Sequence, residues 1–67
     1  MLNSSSKDVL RKHILDIYYK YKYTRAIPET ERKMLDDFYR DYTAEHGNSY
    51  IQHRYEQMQK WRILPDD

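Results

Sequence analysis

The stretch Tyr18-Tyr19-Lys20-Tyr21-Lys22-Tyr23-Thr24-Arg25 holds four of the chain's eight tyrosines and three of its twelve Lys and Arg residues. Interleaved aromatic and cationic side chains support two kinds of chemistry. They can stack bases while neutralising phosphates, as single-strand-binding surfaces do, or anchor a protein interface, where Tyr, Trp and Arg carry much of the binding energy. Helical spacing divides the stretch, because Tyr19, Lys20, Lys22 and Tyr23 span more than half the circumference of a helix and cannot all meet one ligand. Tyr21 and Tyr18 turn toward the core, with their hydroxyls at its rim. Tyr19, Lys20, Lys22, Tyr23 and Arg25 remain as the candidate partner-binding set. Cations at a helix C-terminus also complement its dipole, so the same residues have a purely structural reading. A second patch, Arg54, Lys60, Trp61 and Arg62, offers an aromatic and cationic surface near the C-terminus. There Trp61 is assigned first to the core, since so small a domain needs its largest apolar side chain.

Catalytic chemistry finds less support. The titratable candidates are His13, His46 and His53 with eleven carboxylates; there is no cysteine, and no serine stands in a G-x-S-x-G context. One glycine cannot build a phosphate-cradling loop. His53 and Glu56 share a helix face at i and i+3, but a metal needs three or four ligands, and the spacing identifies no others. The expectation is a non-enzymatic protein with no cofactor and no bound metal.

At 67 residues the chain makes one domain, and a chain this short removes only about 60% of its unfolded surface from water. Conformational entropy of about 1.5 kcal/mol per ordered residue nearly cancels such a core, so a homo-oligomer or a docked partner is expected. The absence of cysteine fits a reducing cytosol. Residues 1–6 lack the basic and apolar regions of a signal peptide. No stretch approaches the roughly 20 apolar residues of a membrane span. These features suggest a soluble, cytoplasmic protein that does not engage a membrane. Its net charge of +1 is unevenly spread: residues 1–25 carry six basic and two acidic residues, whereas 26–67 carry six basic and nine acidic. A basic segment on a mildly acidic body suits an anionic partner or head-to-tail self-pairing. The near-neutral total disfavours strong DNA binding, for which a pI above about 9 is the usual footprint.

The elements that position these residues read as all-α, with three amphipathic helices at about 7–24, 28–46 and 49–62. They form either a small helical bundle or a helical hairpin plus a third helix that packs on a neighbouring copy. Residues 1–6 read as a flexible leader, 7–64 as the domain and 65–67 as a tail. Ser5 and Asp8 stand in capping-box relation, with Ser6 an alternative N-cap. Leu10, Ile14, Ile17 and Tyr21 recur at four, three and four, the core stripe of helix one, widened by Val9, His13 and Leu15. Ile27 before Pro28 stops that helix, and Pro28 opens the next. Leu35, Phe38 and Tyr42 mark the inner face of helix two, which His46-Gly47-Asn48 should end. Ser49 and Gln52 form a second capping box. Ile51, Tyr55 and Met58 are the buried stripe of helix three, while Trp61, Ile63 and Leu64 close the core. The pattern contains no strand signal.

The order Tyr18, Lys20, Tyr21, then Ile27 and Glu31, then Leu35, Tyr39 and Tyr42, then Gly47-Asn48, then Ile51, Tyr55 and Met58 resembles a group of very short proteins encoded by tailed bacteriophages of Gram-positive bacteria. Ala26 stands where that group has a glycine, and His46-Gly47-Asn48-Ser49 replaces its more glycine-rich second turn. The resemblance implies a phage or prophage origin and a non-enzymatic accessory or virion-associated role. The expected function is therefore binding of a protein partner, a virion component or a host or defence complex, through the Tyr/Lys-rich helix. The alternative is a nucleic-acid-binding accessory protein using the basic aromatic end of helix one.

Overall fold

The computed structural model describes residues 5–44 and 49–66. It contains α1 (Ser5–Tyr21), β1 (Ala26–Pro28), α2 (Glu29–Ala44), α3 (Ser49–Gln59) and β2 (Arg62–Leu64). The helical reading holds in outline, and α3 packs against its own chain. The strictly all-α reading does not hold, because β1 and β2 pair in parallel, with Ala26, Ile27 and Pro28 opposite Arg62, Ile63 and Leu64. Three-residue strands are too short to display a period of two. Their conformation follows from Pro28 and Pro65, each of which drives the preceding residue toward extended backbone. The two helices between them supply the long connection that parallel pairing requires.

The helix limits shift for physical reasons. Helix α1 starts at Ser5, inside the expected leader, and ends at Tyr21 rather than at Thr24. The Asp8 carboxylate accepts from Arg11 at 2.8 Å. Past Tyr21 the chain turns through Arg25, whose N–H donates to the Tyr21 carbonyl at 2.8 Å. Arg25 has φ 55°, the left-handed value that lets a helix terminate. Positive φ thus falls one residue before Ala26. Pro28 closes β1, and Glu29 and Glu31 occupy the first turn of α2, where carboxylates oppose the dipole favourably. Helix α3 ends at Gln59, three residues short of the expected limit, because the chain leaves it for β2. The helix stop expected at His46-Gly47-Asn48 lies outside the described residues.

The core is Ile14, Ile17, Ile27, Leu35, Tyr42, Ile51 and Met58, with Leu10, Tyr18, Tyr21, Phe38, Tyr39, Tyr55 and Trp61 packed around it. Ile27, expected only to mark a helix stop, is fully buried. Val9 and Ile63, expected to contribute to the core, are about half exposed at 47% and 46%. Val9 falls beside the stripe of Leu10, Ile14 and Ile17, on the side of α1 that it shares with Asp16 and Lys20. Ile63 pairs with Ile27 through its backbone while its side chain stays partly in solvent. His13 leaves the apolar stripe to stack on Phe38 at 4.9 Å. Together with the Tyr21 hydroxyl donating to Glu31 at 2.5 Å, that stack fixes α1 and α2 in antiparallel order.

Polar contacts hold the other joints. The Asp36 Oδ1 accepts from the Tyr55 hydroxyl at 2.8 Å, from Arg32 Nε at 3.3 Å and from Gln59 Nε2 at 3.3 Å. Arg32 also donates to Gln59 Oε1. Beside this cluster, Tyr39 and Tyr55 stack with ring centroids 3.8 Å apart and planes 8° from parallel. The expected tail is tied down, since Asp66 Oδ2 accepts from the Thr30 N–H at 2.9 Å and from its hydroxyl. This carboxylate satisfies a first-turn donor of α2 from the far end of the chain.

Candidate functional site

The C-terminal half of α1, the turn after it and the end of α3 enclose an open groove of about 540 Å³ lined by Tyr18, Lys22, Tyr23, Arg25, Gln57, Lys60 and Trp61. Along α3 and the turn that follows it stand Tyr50 and Arg54, which meet Tyr19 and Tyr18 beside the groove, and Gln57 and Trp61, which line it. Their spacing of four, three and four makes a second stripe, beside the core stripe of Ile51, Tyr55 and Met58. The two patches that stand apart in sequence become one surface. Tyr18 and Trp61 form its floor, stacked at 5.7 Å with planes 19° apart.

The cations sit against the aromatic rings. The Lys22 ammonium lies 5.8 Å from the Tyr18 ring, 5.2 Å from Tyr19 and 5.1 Å from Tyr23. The Arg54 guanidinium lies 5.3 Å from Tyr18 and 4.8 Å from Tyr50. Contacts of this kind, between a cation and the negative face of an aromatic ring, bias where a flexible cation dwells. Arg54 also donates to Gln57 Oε1 at 2.7 Å, while its Nε is enclosed with no acceptor among the described residues. Hydrogen bonding from Arg54 and then from Tyr19 holds the Tyr50 phenol below its ordinary pKa. Tyr19, which keeps its proton to donate to Tyr50, is raised.

Of the five expected binding residues, Lys22, Tyr23 and Arg25 line the groove. Tyr19 borders it beside Tyr50 and Lys22. Lys20 lies on the opposite side of α1, where its ammonium is 3.5 Å from Glu31 and close to the Tyr21 ring. The Tyr21 hydrogen bond and the Glu31 charge raise the Lys20 pKa. Trp61 is both a core neighbour and groove floor, which removes the choice between those roles. The sequence reading missed Tyr50, Gln57 and the unity of the two patches. The 50, 54, 57, 61 spacing was the available signal, but it mixes polar and aromatic residues and so lacks apolar contrast.

Among the described residues no group of three or more His, Cys, Asp and Glu side chains is placed to hold a metal. His53 and Glu56 stay exposed on α3, with Glu56 accepting from Gln52 at 3.1 Å. Among the described residues no helix is long and apolar enough to cross a membrane. The chain has no significant match among protein-family models, curated proteins or solved structures.

Proposed function

We propose that this chain is a small non-enzymatic interaction protein that binds a protein partner through the face built by α1 and α3. The observation that carries this reading is the stacking of Tyr18 on Trp61, ringed by Lys22, Arg25 and Lys60 in one open groove. Trp, Tyr and Arg concentrated at one surface match the composition of interface hot spots. On the phage resemblance, the partner is a virion component or a host or defence complex. Photo-crosslinking from position 23 tests the reading, with position 37 on the outer side of α2 as the control. A discrete partner captured from 23 and not from 37 is the expected outcome. Equal capture at both positions, or none at 23, counts against it.

Nucleic-acid binding remains the second reading, favoured by a lining that, among the described residues, holds three cations and no carboxylate. Single-stranded DNA should then bind at about 50 mM salt and dissociate steeply as salt rises. Absence of binding at that salt removes this alternative.

A further inference from the structure

We infer that the occupant of the groove is an acidic peptide segment, in which carboxylates meet Lys22, Arg25 and Lys60 while an adjoining apolar side chain covers Trp61 and Tyr23. This deepens the protein-partner reading and rests on it. The first support is charge. The ion pairs among the described residues engage Arg11, Lys12, Lys20, Arg32 and Arg40 with Asp8, Asp16, Glu31, Asp36, Asp37 and Asp41. None of them includes a groove cation, so the positive charge around Trp61 has no carboxylate against it among the described residues. Among the described residues, no acidic side chain lines this groove.

The same arrangement bears on other occupants. A symmetric pairing of two copies through this face would set Lys22, Arg25 and Lys60 against their equivalents, and like charges in contact are unfavourable. A nucleic acid needs open aromatic faces and a long cationic track. Tyr18 already bears Trp61 on its ring, with Arg54 and Lys22 also against it, so a base can stack there only by displacing one of them. The overall pI of about 8.0 falls below the usual level for nucleic-acid-binding domains. Three cations in one groove with one indole fit a few carboxylates better than a run of phosphates.

Held conformations favour a defined geometry. Lys22 is gathered by three rings, which limits the freedom a carboxylate must remove on binding. Arg25 is fixed at φ 55° by its hydrogen bond to Tyr21 and by accepting from the Arg62 N–H at 3.0 Å. Its guanidinium therefore projects from a turn clamped on both sides, and its fork suits bidentate carboxylate binding.

Trp61 is the only tryptophan in the chain, so its fluorescence reports the groove alone. The probes are a capped peptide alternating Glu and Leu, its Gln/Leu counterpart and oligo(dT), each titrated into the full-length chain. The Glu/Leu peptide is expected to shift Trp61 emission saturably, to weaken with salt, and to bind at least about tenfold tighter than its Gln counterpart. Lys22→Gln with Lys60→Gln should cost about tenfold or more, while Lys33→Gln on α2 should leave affinity unchanged. If the double variant loses its helical circular dichroism, Lys60→Gln alone serves, with a proportionally smaller loss. Equal binding of the Gln peptide, tighter binding of oligo(dT), or no response to the Glu/Leu peptide overturns the inference. Crosslinking from position 23 is indifferent to partner charge. A partner captured there without any response to the acidic peptide overturns this inference while leaving the protein-partner reading standing.

Discussion

Tyr18 on α1 and Trp61 beyond the end of α3 stack at 5.7 Å, and this one contact makes the groove floor and joins the two helices at the C-terminal end of α1. Trp61→Ala should therefore lower stability by about 3 kcal/mol, near the low end for such truncations because the indole keeps part of its exposure. Trp61→Phe should retain roughly half of that, by keeping an aromatic partner for Tyr18. Urea midpoints followed by far-UV circular dichroism measure both. Equal midpoints for wild type and Trp61→Ala would show that the stack contributes nothing.

The Tyr55–Asp36 hydrogen bond has a consequence at alkaline pH. Burial, followed by that hydrogen bond and the Asp36 charge, raises the Tyr55 phenol from 10.0 to about 12. The folded state thus holds the proton more tightly than the unfolded state. Its contribution is complete below the unfolded pKa of 10.0 and is lost as pH climbs toward about 12. Tyr55→Phe should cost about 1 kcal/mol at neutral pH. It should also flatten the fall in stability across that alkaline window, as read from urea midpoints at stepped pH. An unchanged slope would remove Tyr55 as its source.

Asp36→Ala should be more damaging than Tyr55→Phe, about 2 kcal/mol, because it leaves the Tyr55 hydroxyl, Arg32 and Gln59 without their shared acceptor. Asp36→Asn keeps an acceptor and should recover part of the loss. Thermal melts of the two variants side by side separate charge from hydrogen bonding.

Asp66 closes the chain onto the start of α2, so Asp66→Ala should cost about 1 kcal/mol, the usual value of a lost helix cap. Amide exchange should accelerate at Thr30 and along Arg62–Leu64 before it does in α1. Uniform acceleration over the whole chain would instead mean that the contact is not local in effect.

Arg25 is a non-glycine residue at φ 55°, a conformation that costs about 1 kcal/mol or more for an L-residue with a side chain. Arg25→Gly should raise the urea midpoint while weakening whatever binds the groove. Arg25→Ala should weaken binding without the gain in stability. A destabilised Arg25→Gly would indicate that the side chain's own contacts outweigh the backbone strain.

The helices and most of the core were legible in the residues themselves. Ile14, Ile17, Leu35, Tyr42, Ile51 and Met58 repeat at helical spacing, and burying such a stripe is the strongest local signal a chain carries. The split of the Tyr18–Arg25 stretch into an inner and an outer face followed from the same geometry. The strands were not legible, since three residues before a proline carry no period, and Ala26–Pro28 gains its partner only when α2 and α3 bring Arg62–Leu64 beside it. Ile27 accordingly looked like a boundary residue and became a buried one. Nor could spacing reveal that Lys20 would turn to Glu31 while Lys22 turned to Tyr18, Tyr19 and Tyr23. Lys20 near the end of α1 meets α2, whereas Lys22 in the turn beyond it folds back on rings of α1 and the turn, and only packing decides which partner each cation finds. Residue order alone dictated that an aromatic and cationic set would end helix one. Folding in three dimensions brought Trp61 and Lys60 to complete that set and, among the described residues, left no carboxylate lining the groove, because those positions meet only when α3 and β2 fold back on α1 and β1.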